Sequence, residues 1–242
     1  MIKFVSFLIL LFPILVFGQN LQVNEQTSEV SLKEYCYHIE DTADNLSIGE
    51  VIKGDWNYLE EGPKFGYVRH YQWLKYNITN TSDAYLEYFI FIPYSHLNQI
   101  DFYLIKNGEV VSHKTQGTSQ SYSHKDYKSR GYPFKIELTG NDSVTVIMRL
   151  DHRQLPLRAS AFILSEEKLK ESIDGTESLI WFWKGIYLFA IAISLILYLS
   201  VRLKLFLYYF AFNLSFLLFM GTELGDYFHF FDVDSNNVIS DI

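Results

Sequence analysis

Residues 185–222 read GIYLFAIAISLILYLSVRLKLFLYYFAFNLSFLLFMGT, two uncharged runs separated by Arg202, Leu203 and Lys204. At 1.5 Å per residue, each run with its flanks covers the roughly 30 Å of a bilayer's hydrocarbon core. Globular helices are seldom apolar on every side, so the pattern is that of a membrane hairpin and not of two soluble core helices. Trp181, Trp183 and Lys184 stand just before the first run, where aromatic rings and a lysine stem suit the membrane interface. The spans are placed at residues 179–201 and 205–224. Arg202 and Lys204 lie in the tight connection, whereas the chain after Lys204 holds Glu223, Asp226, Asp232, Asp234 and Asp241 and no Lys or Arg. The positive-inside rule puts the connection in the cytoplasm and leaves residues 19–178 and the tail, residues 225–242, outside.

The N-terminus agrees. Lys3 precedes an uncharged run over residues 4–17, and Gly18, Gln19 and Asn20 then break the hydrophobicity. The run is too short to span a bilayer, and its charge order is that of a secretory signal, residues 1–18, cleaved after Gly18. No cysteine stands at that boundary, which disfavours a lipid-anchored form. Cys36 is the one cysteine, so an intramolecular disulfide, a CxxC zinc site and haem attachment are excluded. A net charge of −8 with scattered basic residues disfavours nucleic acid as a partner.

Residues 19–164 carry a period of two. Residues 71–78 alternate Tyr, Trp, Lys and Asn with Gln, Leu, Tyr and Ile, and residues 85–92 are β-rich and almost wholly apolar; both read as strands, the second more deeply buried. Residues 100–105 lead through Asn107-Gly108 into residues 109–112, a hairpin signal because both central residues of a primed turn need positive φ. Further strands are expected at 135–138, 144–150 and 157–164, with Gly140-Asn141-Asp142 turning between the first two. About seven short strands with turns every 8 to 12 residues predict an all-β antiparallel sandwich or jelly roll as the ectodomain, followed by two transmembrane α-helices. Residues 165–178 form the connector: residues 166–170 turn charged and helical, Asp174-Gly175 marks the junction with the membrane, and a polar stretch over 170–176 is long enough to decouple the two parts.

A sugar-like ligand needs aromatic faces for its C–H surfaces and fixed polar groups for its hydroxyls. The candidates are Tyr71, Trp73, Tyr103, Tyr122, Tyr127, Arg130, Tyr132 and Arg149. Trp73 also fits a sandwich core anchor, and Arg149 is positioned to pair with a carboxylate such as Asp101. Residues 117–132, rich in Ser, Tyr, Lys and His, form the longest polar loop and the favoured recognition element. The histidines make no HxxxH or HxH pair, although His113 and His124 flank that loop. Asp232, Asp234 and Asn236 echo a calcium loop, but Asn237 stands where Gly is required. No phosphate loop, nucleophile elbow or spaced carboxylate pair is present, so no catalytic residue, metal or cofactor is expected.

Gly66, Trp73-Leu74-Lys75, Asn80, Leu97, Ile100, Asp101, Tyr103-Leu104, Gly117, Arg130, Pro133-Phe134, Arg149 and Pro156-Leu157, in that order, resemble the second type of extracellular domain of bacterial seven-transmembrane receptors with diverse intracellular signalling modules. Gly185, Tyr208-Tyr209, Gly221 and Gly225 resemble landmarks of that family's first two membrane helices. Lys75 departs from the family's frequent arginine at this position. The resemblance implies a jelly roll similar to carbohydrate-binding modules and a relay of ligand occupancy to cytoplasmic modules. Ending at Ile242 after two helices, the chain is expected to be the sensor portion of a receptor truncated before its output module, held in a bacterial inner membrane with its N-terminal domain in the periplasm. The alternative is a membrane-tethered, lectin-like binding module without signalling. The expected partners are a small extracytoplasmic ligand and the lipid bilayer.

Overall fold

The computed structural model describes residues 20–120, 125–152 and 156–224. The expected signal peptide and tail, and with them the Asp232–Asp234–Asn236 motif, lie outside the described residues, as do Tyr122 and His124. In chain order the elements are β1 (Leu21–Val23), β2 (Glu29–Ser31), a 3-10 turn (Leu32–Tyr35), β3 (Tyr37–Asp41), α1 (Ile48–Ile52), β4 (Asn57–Tyr58), β5 (Lys64–Tyr67), β6 (Tyr71–Asn80), β7 (Leu86–Ile92), β8 (Gln99–Lys106), β9 (Glu109–Gln116), β10 (Tyr132–Leu138), β11 (Ser143–Asp151), β12 (Pro156–Arg158), β13 (Phe162–Leu164), α2 (Glu166–Val201) and α3 (Lys204–Glu223). A seven-stranded sheet ordered β4-β3-β6-β11-β8-β9, with β1 parallel to β6, faces a four-stranded sheet ordered β10-β7-β13-β2; β5 and β12 form a small third sheet.

The predicted sandwich is present, and strand periodicity explains its core. Leu74, Tyr76 and Ile78 of β6 and Val146, Met148 and Leu150 of β11 point inward against Tyr88, Ile90 and Ile92 of β7 and Phe134 of β10. The rings of Phe102 and Phe134 stack across the gap at 4.5 Å and 5°. β7 is buried on both faces: its odd-numbered residues Phe89 and Phe91 join Leu164, Leu169 and Ile173 on the far side of its sheet. That double burial is why residues 86–92 lack alternation. The β8–β9 hairpin turns at Asn107 and Gly108 with φ of 54° and 83°, the primed geometry that Asn-Gly favours. Residues 157–164, expected as one strand, are two, β12 and β13, in different sheets, because the buried Ala159 and Ala161 carry the chain across between them.

The first membrane-length helix begins earlier than the expected span: α2 runs unbroken through Asp174-Gly175, from Glu166 to Val201. Ser165 caps it by accepting from the Lys168 amide, and Glu166 and Glu167 complement the dipole in its first turn. The docking of Leu169 and Ile173 onto β7 and β13 carries the helix through Gly175. The connector is therefore a rigid rod where a decoupling segment was expected. Arg202 closes α2 in the left-handed region at φ 58°, its amide bonded to the Tyr198 carbonyl, and α3 begins two residues later. Both helices are long and apolar enough to cross a membrane, and almost nothing of their apolar windows is buried in the protein.

Candidate functional site

The sheets divide the sequence-predicted ligand residues into two groups. Tyr71, Trp73, Tyr103 and Arg149 meet on the outer face of the seven-stranded sheet. Strand register brings them there: Trp73 of β6 lies opposite Arg149 of β11, which lies opposite Asp101 of β8, which lies opposite Thr115 of β9. One step along the strands, Lys75, Ile147, Tyr103 and His113 form the next row.

Asp101 organises this patch. Its side chain is 5% exposed, yet it accepts from Arg149 Nε at 2.9 Å and Nη2 at 2.6 Å, from Thr115 Oγ1 at 2.8 Å and from Gln99 Nε2 at 3.0 Å. Burial works against the Arg149 charge, but hydrogen bonds to Asp101 and the carboxylate's own charge more than offset it, and the guanidinium pKa is raised. Held this way, the guanidinium lies 4.9 Å from the Tyr71 ring centroid and 5.8 Å from that of Trp73. Tyr103 stacks on His113 at 4.4 Å and 3°, and on Trp73 at 6.1 Å. Burial, then the Asp101 charge, raises the Tyr103 pKa, so its hydroxyl keeps its proton.

Trp73 supplies the floor and no open surface: it is 1% exposed, sealed in a second cluster with Val51, Ile105 and Ile147. The cover is α1, and local chemistry positions it. Buried Asp41 accepts from the amides of Asn45 and Leu46, the Glu50 carboxylate accepts from the amide and hydroxyl of Ser47, and Trp56 Nε1 donates to the Val51 carbonyl. Lys75 lies over the rings of Trp56 and Tyr37 at 4.6 and 5.3 Å, and burial lowers its pKa. Open to solvent are parts of Tyr71, Tyr103 and Arg149 and about half of His113. Further along the same face a shallow basin of about 250 Å³ is lined by neutral hydrogen-bonding groups that include Asn77, Thr79, Asn107, Ser143 and Thr145.

The second group sits elsewhere. Tyr132 is 2% exposed, with its hydroxyl donating to the Ser95 and Leu97 carbonyls, so its ring is a core element. Tyr127 packs with Phe89, Phe91 and Ile173 between the sandwich and α2. Arg130 donates to Glu177 of α2 and to the carbonyl of Leu224. Of the loop favoured as the recognition element, Tyr127 and Arg130 are thus engaged with the helices. Asp101 was expected only as a partner of Arg149, and His113 was not placed at this site; the Asn107-Gly108 hairpin, which fixes β9 against β8, was the signal that could have placed His113 beside Tyr103. Among the described residues no group of three or more metal-ligating side chains occurs.

No curated protein matches the chain. Among solved structures it is similar to a family 35 carbohydrate-binding module from Clostridium thermocellum, at 10% identity over 57% of this chain and 99% of that one, with a TM-score of 0.29. A family 6 carbohydrate-binding module aligns at 10% identity over 61% of this chain and 99% of that one, with a TM-score of 0.29. A CBM35 from Paenibacillus barcinonensis aligns at 12% identity over 58% of this chain and all of that one, with a TM-score of 0.27. The family model described as 7TMR-DISM extracellular 2 matches residues 33–160, more than half of the sequence. That model describes an extracellular receptor domain and two membrane-length helices follow it, so the protein is a membrane protein with an outward-facing N-terminal domain, and the chain belongs to the 7TMR-DISM extracellular 2 family.

Proposed function

We propose that the sandwich is the ligand-recognition part of a receptor sensor and that it binds a small, sugar-like molecule on the outer face of the seven-stranded sheet. One observation carries this reading: Tyr71, Tyr103, His113 and Arg149 converge on one open patch of central strands, locked by the buried Asp101. Aromatic groups there suit the C–H faces of a sugar ring, while the guanidinium, the imidazole and the neutral basin beside them suit its hydroxyls. A patch on ladder-paired strands keeps its geometry before the ligand arrives, which lowers the entropic cost of binding. Recognition without turnover is our reading of this patch.

The test uses the full chain in lipid nanodiscs, screened on a glycan array and by thermal shift against small metabolites. Binding of a saccharide that is lost on Tyr103→Ala and weakened on His113→Ala supports the proposal. No glycan bound, and no thermal shift with any small metabolite, removes it. A ligand whose affinity is untouched by both substitutions would move the site off this face.

A further inference from the structure

The joint between the sandwich and the membrane helices is built around one side chain. Arg130 Nε and Nη2 donate to the two Glu177 carboxylate oxygens at 2.6 and 3.1 Å, and Nη1 donates to the Leu224 carbonyl at 2.6 Å. Its side chain is 12% exposed. Glu177 belongs to α2, and Leu224 is the C-cap of α3, whose last carbonyls have no partner within the helix. A planar guanidinium can hold both at once because its donors form a fixed fork.

The loop behind Arg130 is itself fixed. Lys125 Nζ donates to the Ser129 and Gly131 carbonyls at 2.8 and 2.9 Å, and Ser129 Oγ donates to Gly131 at 3.0 Å. Asp126 accepts from the Lys135 amide in the middle of β10 and pairs with Lys114 of β9. Gly131 lies so close to β7 that a Cβ there would sit 2.5 Å from the Ile92 carbonyl oxygen. On the helix side, Leu169 and Ile173 dock on the same sheet.

We infer that Arg130 is a clamp that makes the sandwich, α2 and α3 one rigid body, so that the tilt of the membrane pair is set by the outward domain and not by a flexible stalk. This goes beyond the sensor reading and does not depend on where a ligand binds. Removing one partner of this mostly buried ion pair strands the other's charge, so a substitution at either residue penalises the clamped arrangement.

The experiment is single-molecule energy transfer on the full chain in lipid nanodiscs, with dyes on Tyr67→Cys and Val201→Cys, both exposed positions; Cys36 is buried and stays unlabelled. Val201 lies about 36 Å beyond Glu177 along the helix, so a tilt of about 10° at the joint moves it by about 6 Å. The native clamp gives one narrow distance population. Glu177→Gln and Arg130→Gln each broaden it roughly two-fold or split it. Arg130→Lys, which keeps the charge and loses the fork, falls between. Near-ultraviolet circular dichroism matching the native spectrum shows that the sandwich is intact, and Glu177→Gln, a change on the helix surface, decides alone if Arg130→Gln does not fold. A native-width population in folded Glu177→Gln overturns the clamp, and a native-width population in Arg130→Lys overturns the bridging of two helices by one fork.

Discussion

Removing the Asp101 carboxylate should cost the sandwich a measurable and coupled amount of stability. At an effective dielectric constant of about 20 and a charge separation of about 4 Å, a single pair is worth about 4 kcal/mol. The Arg149 side chain is 30% exposed and Asp101 5% exposed, so solvent screening on the arginine side brings the expected coupling to about 2 kcal/mol. Asp101→Asn also turns an amide donor toward the guanidinium and weakens the acceptance from Thr115, so the single substitution should cost about 2–3 kcal/mol. Arg149→Met, which leaves the carboxylate buried with Thr115 and Gln99 as its remaining donors, should cost a similar amount. The assay is a double-mutant cycle on the full chain in detergent, with urea unfolding followed by tryptophan fluorescence. The double variant should cost about 2 kcal/mol less than the two single losses taken together. A coupling below about 0.5 kcal/mol would place the pair among ordinary surface ion pairs and refute the view that Asp101 organises the patch.

Three further outcomes follow from the described geometry. Gly131→Ala must push its methyl against Ile92 and the Phe91 ring, and a melting experiment should show a loss of about 1–3 kcal/mol. Burial lowers the Lys125 pKa to about 7, below its value near 10.4 in the unfolded chain, so the unfolded state binds more protons above neutrality and stability should rise between about pH 7 and 8.5. Lys125→Met should flatten that rise in urea titrations; at higher pH the Cys36 thiol, pushed up to about 12 by burial, acts in the opposite sense. Alkaline phosphatase fused after Lys204 should be inactive and fused after Asp234 active, and the reverse pattern would invert the membrane orientation.

How far the fold was legible depended on how locally each element is determined. The alternation at residues 71–78, the Asn107-Gly108 turn and the two uncharged runs each carry their own signal, and each became the expected element. The pairing of Arg149 with Asp101 was legible because ladder register places facing residues within reach. The strands of residues 21–67 were not: each is five residues or shorter and takes its place from a partner strand, as β1 and β3 do from β6. The α1 cover likewise gains its meaning only from Trp73 beneath it. Asp174-Gly175 reads as the junction with the membrane; the helix continues through it because capping at Ser165 and docking at Leu169 and Ile173 outweigh a glycine's cost of about 1 kcal/mol. The partners that hold Arg130 lie 47 and 94 residues away in sequence, a separation that no local pattern encodes.

The unbroken course of α2 has a consequence for its neighbours in the bilayer. Leu169, Ile173 and Glu177 recur every four residues along one stripe of the helix, and all three are held by the sandwich. Each further residue turns the rod by about 100°, so the compass bearing of every apolar side chain from Ile186 to Val201 is dictated from outside the lipid. Inserting or deleting a single residue between Glu177 and Gly185 would change the chain's length by about 1.5 Å and yet swing a different flank of the span toward α3. Two added turns, about seven residues, would nearly restore the bearing.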